Sequence, residues 1–132
     1  GRAPGEPRVV AGGMVATGGD DRRVARSREE RRRRLGFLFS TPAYRRTLEL
    51  HGWEALGSQL RALARADRWA DMAGAVSDDV LDTVVVSAPY DGLAAAVADR
   101  YADLVGGVLM QVPTDPDDDD AFAEAVADLR AR

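Results

Sequence analysis

The sequence predicts an α/β fold with parallel strands, and two observations carry the prediction. Three short runs that carry valine, Val9 to Ala16, Thr83 to Val86 and Val108 to Val112, have the length and residue types of strands. Between and after them lie longer stretches whose apolar residues recur at three- and four-residue spacing, the repeat of an amphipathic helix. Strands that alternate with helices pair in parallel through right-handed crossovers. With 132 residues, 45% of them hydrophobic, the chain has the size and composition of one domain with an ordinary core.

Each element has its own signals. Residues 1–8 hold two prolines and two glycines and read as a loop. The run VVAGGMVA from Val9 to Ala16 reads as a strand buried on both faces, closed by a turn over Thr17, Gly18, Gly19 and Asp20. Asp20 or Asp21 caps a helix expected to reach Leu38, with a middle, RSREERRRR, polar enough all round to face solvent. Ser40 and Thr41 then offer oxygens to a new first turn, and Pro42 suits its first position because the missing N–H has no partner there. Tyr44, Leu48 and His51 share one face of this short helix, which Gly52 ends by taking a left-handed conformation.

Leu56, Leu60 and Leu63, and after a break near Asp67 the set Trp69, Met72 and Val76, predict two helices or one bent one. Ser77 with Asp78 and Asp79 starts a short helical turn ending near Asp82. Thr83 to Val86 is β-branched throughout and reads as a strand. A helix from Tyr90 to Leu104 follows, stopped by Gly106 and Gly107, then the strand Val108 to Val112. An acidic loop from Pro113 to Asp120 leads into a last helix through Phe122, Val126 and Leu129. The expected segments are loop and strand over 1–20, a helical region over 21–82, strand-helix-strand over 83–112, and loop and helix over 113–132.

Three parallel strands leave open edges, so partner strands are expected outside this sequence. A first residue of Gly rather than Met agrees with an excerpt of something longer, and the last three units of an eight-unit barrel have this pattern.

Composition excludes several chemistries. There is no Cys, so disulfides, thiolate metal sites and cysteine nucleophiles are ruled out. The 18 basic residues against 22 acidic ones argue against a generally basic nucleic-acid surface. All the basic residues are Arg, a usage that suggests a GC-rich, actinobacterium-like source. No apolar run is long enough for a membrane helix and no signal peptide is visible, so a cytoplasmic location is the default.

The candidate motifs are weak taken singly. The glycines at 12, 13, 18 and 19 form neither dinucleotide nor P-loop spacing, and read first as close packing and a turn. Even so, Thr17 and Gly18 stand where ligands sit if this is a barrel strand. Arg31 to Arg34 is diluted by Glu29 and Glu30 and lacks interleaved aromatics, so a solvated helix face is the simpler reading. Asp117 to Asp120 lacks calcium-loop spacing and reads as a solvated cap. His51 stands alone, which removes multi-histidine metal sites; packing is its commonest role and pocket lining the next.

In order along the chain, Ser40-Thr41-Pro42-Ala43-Tyr44, Leu48-Glu49-Leu50-His51-Gly52-Trp53, Arg68-Trp69-Ala70-Asp71-Met72 and Asp78-Asp79-Val80-Leu81-Asp82 resemble the carboxy-terminal part of the luciferase-like oxidoreductases. Within that superfamily they are most similar to a subgroup dependent on the deazaflavin coenzyme F(420). Gly1-Arg2, Val15-Ala16-Thr17-Gly18 and Arg100-Tyr101 extend the likeness to about Val112. The sequence departs from the family at Ser27 to Arg34, which is more charged, and at Arg46, where proline is commoner.

The resemblance implies the last strands of a TIM (β/α)8 barrel with an extended helical insertion. It also implies hydride transfer between the deazaflavin, or alternatively FMN, and an organic substrate, with the catalytic residues in strands that precede this segment. It implies cofactor contacts from Thr17, Gly18 and Ser87 and a substrate pocket lined by Tyr44, His51 and Trp53, with no metal. The implied partners are a small-molecule substrate and the amino-terminal barrel strands, without which the segment is expected to be inactive. A homodimer is compatible; neither nucleic acid nor a membrane is expected. The alternatives are a flavin-dependent monooxygenase of the same superfamily and a non-enzymatic helical module that binds a partner through exposed apolar faces.

Overall fold

The structure is a computed structural model that describes residues 9–132. The loop expected over 1–8, and with it Gly1-Arg2, lies outside the described residues. The described residues divide into two compact units, one of residues 9–25 with 85–132 and one of residues 26–84.

In the first unit the expected opening strand is broken at Gly13 into β1 (Val10–Gly12) and β2 (Met14–Ala16). Each half pairs in parallel with a different partner. β2 takes β3 (Val85–Ser87), with Met14 opposite Val85 and Ala16 opposite Ser87. β1 takes β4 (Gly107–Leu109), with Val10 opposite Gly107 and Gly12 opposite Leu109. Successive residues of an extended strand turn their N–H and C=O groups to opposite edges. Odd-numbered Val9 and Gly13 bond to the β4 side, at 2.8 Å from the Gly106 N–H and 2.9 Å to the Leu109 carbonyl. Even-numbered Ala16 and Gly18 accept from Ala88 and Tyr90 on the β3 side, each at 3.1 Å. The two halves therefore pair on opposite edges and form two separate two-stranded sheets, β1 with β4 and β2 with β3. Three consecutive barrel units would instead place β3 in the middle.

Helix α6 (Tyr90–Tyr101) and helix α7 (Asp119–Ala131) pack together beside these strands. Val15, Val86, Tyr90, Leu93, Val97 and Ala125 form the core, with Phe122, Val108 and Leu129 at its margin. Burial on both faces holds for β2, where Val15 and Ala16 are buried, and fails for β1, whose Val10 is 47% exposed. Two expected boundaries also move. α6 ends at Tyr101, before Leu104, and β4 ends at Leu109, before Val112.

The second unit is helical. Helix α1 (Asp21–Phe39) enters it at Arg26 and is followed by a 3-10 turn (Pro42–Tyr44), α2 (Arg45–His51) and α3 (Glu54–Arg65). A second 3-10 turn (Trp69–Asp71), α4 (Met72–Ala75) and α5 (Asp78–Val84) complete it. Leu35, Phe39, Leu48, Leu60, Met72, Val76, Val80 and Leu81 are its buried apolar residues.

Gly52 ends α2 at φ 69° as expected, and Asp67, the break after α3, also has a positive φ of 58°. The Trp69 indole N–H donates to the Asp67 carboxylate at 2.5 Å, the kind of local bond by which Asp tolerates this region. Ser40 and Thr41 correct the expectation. Their hydroxyls donate backwards, to the Phe37 and Leu38 carbonyls at 2.6 and 2.7 Å, and finish α1 instead of starting α2. Thr83 and Val84 are likewise helical and not strand, because the Thr83 hydroxyl bonds the Asp79 carbonyl at 2.7 Å and α5 continues through them.

The charged middle of α1 is only partly solvated. Arg33, Arg34, Glu29 and Glu30 face solvent, but the Arg32 side chain is only 13% exposed. It donates to the Val76 carbonyl at 2.5 Å and pairs with Glu29 and Asp78, while Arg28 pairs with Asp82 at 2.7 Å. The Arg32 hydrogen bond, followed by its charge, holds the Asp78 carboxyl below its ordinary value of 3.8.

Candidate functional site

Thr17, Gly18 and Ser87 come together where β2 and β3 end. Ser87 lies opposite Ala16 in the ladder, and the next residue along the central strand is Thr17. Gly18 is buried, its carbonyl bonded to the Tyr90 N–H, and a Cβ on it would lie 2.4 Å from the Arg23 Cβ and 3.0 Å from the Arg23 carbonyl carbon. Only glycine lets the strand end press so closely on the first turn of α1. Asp20 caps that turn, accepting from the Arg23 N–H at 2.8 Å. The Thr17 hydroxyl is buried and, among the described residues, has no hydrogen-bond partner. A buried hydroxyl left without any partner costs about 1–3 kcal/mol, which a bound water, a further residue or a ligand offsets.

Beside the strand ends, α6 and α7 are tied to the first turn of α1 through Asp118. This carboxylate, with a side chain 17% exposed, accepts from Arg23 at 2.8 Å and from the Tyr90 hydroxyl at 3.2 Å. Burial, reinforced by the charge of Asp118, pushes the Tyr90 phenol up to about 12, so it remains a neutral donor. Asp118 is thus not the solvated cap expected of its run. Asp118 stands at the N-cap position of α7 without a side-chain capping bond, and Asp115 caps the 3-10 turn (Pro116–Asp118) before it, accepting from the Asp117 N–H at 3.1 Å. Nothing in four consecutive aspartates marks the one that will be bound, and this contact was not legible in the sequence. An open cleft of about 350 Å³ nearby is lined by Gly19, Tyr90, Asp91, Glu124 and Asp128. Its carboxylates disfavour an anionic ligand there.

Tyr44, His51 and Trp53 belong to the second unit and also gather. Tyr44 and Trp53 lie against the buried Phe39 ring, with centroids 5.9 and 6.1 Å away. His51 is exposed and stacks on Trp53 at 4.3 Å with planes 16° apart. Leu48, which shares their helix face, is the buried member of the set. Among the described residues there is no group of three or more His, Asp or Glu that could hold a metal ion, and no helix is long and apolar enough to cross a membrane.

Residues 1–107 match the family model described as luciferase-like monooxygenase. The chain belongs to that family. Curated relatives are uncharacterized proteins of Mycobacterium tuberculosis, from two strains, and of Mycobacterium bovis. Each is 40% identical over 96 residues, which is 73% of this chain and 28% of the relative. The chain thus spans a little over a quarter of the length of the relatives it matches. No solved structure matches it. The family match takes in the whole of the second unit and the first unit up to residue 107. It ends at the first residue of β4, so most of β4 and all of α7 lie beyond it.

Proposed function

We propose that this chain is the carboxy-terminal part of an oxidoreductase that transfers a hydride between a deazaflavin coenzyme and an organic small molecule. In that reading it supplies the last strands of a TIM barrel whose earlier strands hold the catalytic residues, and a cytoplasmic setting accompanies it. The observation that carries the reading is the family match over residues 1–107, and the Thr17 hydroxyl at the end of β2, buried with no partner among the described residues, accords with it. Ligands of parallel α/β folds sit at the carboxyl ends of strands, and a hydroxyl buried there without a bond suits a cofactor oxygen or nitrogen.

Thr17, the backbone of Gly18 and Ser87 would hold the cofactor, which when bound supplies the hydride chemistry. The chain's own residues would orient it: Gly18 lets the strand end pack on the first turn of α1, and Thr17 would offer one fixed hydrogen bond. Tyr44, His51 and Trp53 would line the substrate pocket, apolar ring faces receiving an organic substrate and the exposed imidazole supplying a polar tip.

The family's description as monooxygenases favours FMN as the second reading. Titrating the full-length gene product with deazaflavin and with FMN separates them. Saturable binding with preference for the deazaflavin supports the proposal; preference for FMN moves the chain to the flavin reading, and binding of neither overturns both.

A further inference from the structure

Three segments that follow strands in the first unit meet around Gly18. The turn after β2 holds Gly18 and runs into Arg23 on the first turn of α1, the segment after β3 opens α6 at Tyr90, and the one after β4 holds Asp118. Gly18 meets two of these residues directly. Its carbonyl accepts from the Tyr90 N–H at 3.1 Å, and a Cβ on it would lie 2.4 Å from that of Arg23.

Asp118 holds the side chains of the same two residues, accepting from the Tyr90 hydroxyl at 3.2 Å and from the Arg23 guanidinium at 2.8 Å. Gly18, Tyr90, Asp118 and Arg23 therefore close a ring. Its carboxylate is largely covered, and a covered charge is costly unless it is paired and hydrogen-bonded, as this one is. Asp117, Asp119 and Asp120 form no ion pair among the described residues, and Arg23 forms no other. Thr17 stands between this ring and the ladder, in which the Ala16 carbonyl accepts from the Ala88 N–H at 3.1 Å. The ladder fixes Thr17 on one side and the ring fixes it on the other.

We propose that Asp118 is a positioning residue for the cofactor site: through Tyr90 and Arg23 it fixes the Gly18 turn and so aims the adjoining Thr17 hydroxyl. The proposal rests on the assignment of Thr17 and Gly18 to a cofactor made above. Asp118 itself touches no reacting group. It acts through geometry, since a contact residue displaced by about 1 Å loses much of its effect. It also lies beyond the residues that match the family, so the tail contributes to a site that the matched part contains.

The test has an empty and a loaded arm, both on the full-length gene product. In the empty protein Asp118→Ala speeds amide exchange at the Tyr90 N–H, whose acceptor is Gly18, and leaves the Ala102 N–H unchanged. That second amide, bonded to the Ala98 carbonyl at 2.9 Å at the far end of α6, reports a folded first unit. Unaltered exchange at Tyr90, or equal acceleration at both amides, overturns the proposal. In the loaded arm Asp118→Ala weakens deazaflavin binding roughly three- to tenfold, and Asp118→Asn, which keeps an acceptor for the Tyr90 hydroxyl, weakens it less. In a Thr17→Val background Asp118→Ala changes affinity by less than about twofold, because the hydroxyl it aims is gone. The same factor in both backgrounds is what a merely structural residue gives and overturns the proposal, as does unchanged affinity in Asp118→Ala alone. Where the unsubstituted protein binds no deazaflavin, the cofactor reading fails, and the exchange arm alone decides whether Asp118 fixes the turn.

Discussion

The Tyr90 hydroxyl donates to the Asp118 carboxylate at 3.2 Å, joining the first residue of α6 to the turn before α7. Burial first, and the Asp118 charge second, push the phenol up to about 12 from an ordinary 10.0. The folded state therefore resists ionising Tyr90 while the unfolded chain ionises it freely. Its contribution to stability is fully present below pH about 10 and is lost as pH rises towards about 12. Thermal melts across that range should show a falling midpoint that Tyr90→Phe flattens. An unchanged alkaline slope in Tyr90→Phe would show that another group causes it.

Arg32 and Asp78 illustrate how little the two ends of an ion pair share. Arg32 is largely covered and also satisfies the Val76 carbonyl, whereas Asp78 stands in solvent. Arg32→Ala should destabilise by about 1–2 kcal/mol, because it strands a carbonyl as well as removing the pair. Asp78→Asn should do less. The sign in acid follows from the lowered Asp78 carboxyl: its contribution is present above the ordinary 3.8 and is lost as pH falls below it. Denaturant titrations at neutral and acid pH test both points, and an Asp78→Asn loss equal to that of Arg32→Ala would refute the asymmetry.

Two glycines of the helical unit should fail for different reasons. A Cβ on Gly57 would lie 2.6 Å from Cδ1 of the buried Leu48, so Gly57→Ala overpacks the α2–α3 contact and should cost about 1–3 kcal/mol. Gly52 has open space around it but a φ of 69°, so Gly52→Ala should cost about 1 kcal/mol through backbone strain alone. Trimming Leu48 to Val in the Gly57→Ala background should recover part of the first loss. In the Gly52→Ala background it should recover nothing. Equal rescue of both would contradict the distinction.

These comparisons show what the sequence makes legible. Local signals with one meaning were readable: the Gly52 stop, the break at Asp67, the Asp20 cap on α1, and the parallel pairing implied by alternating strands and helices. Signals with two meanings were not. A hydroxyl at a helix boundary serves the helix behind as well as the one ahead, and Ser40 and Thr41 serve the one behind. β-branching marks Thr83 and Val84 as strand, yet a backward hydroxyl bond keeps them in α5. The division of the first strand at Gly13 is hidden because register and edge depend on partners 71 and 97 residues away. Of the site, the sequence marks Thr17 and Gly18 by their position after a strand. The missing bond at the Thr17 hydroxyl is a property of packing and cannot be read from residue types.

The most direct measurement of the account is the effect of Thr17→Val on two quantities at once in the full-length gene product. If the buried hydroxyl is kept for a cofactor, its removal relieves an unsatisfied group in the empty protein and removes a bond in the loaded one. The empty variant should melt above the unsubstituted protein, while deazaflavin binds roughly three- to tenfold more weakly, the equivalent of one hydrogen bond. Unchanged affinity, whatever happens to the melt, would contradict the assignment of the β2 strand end to the cofactor.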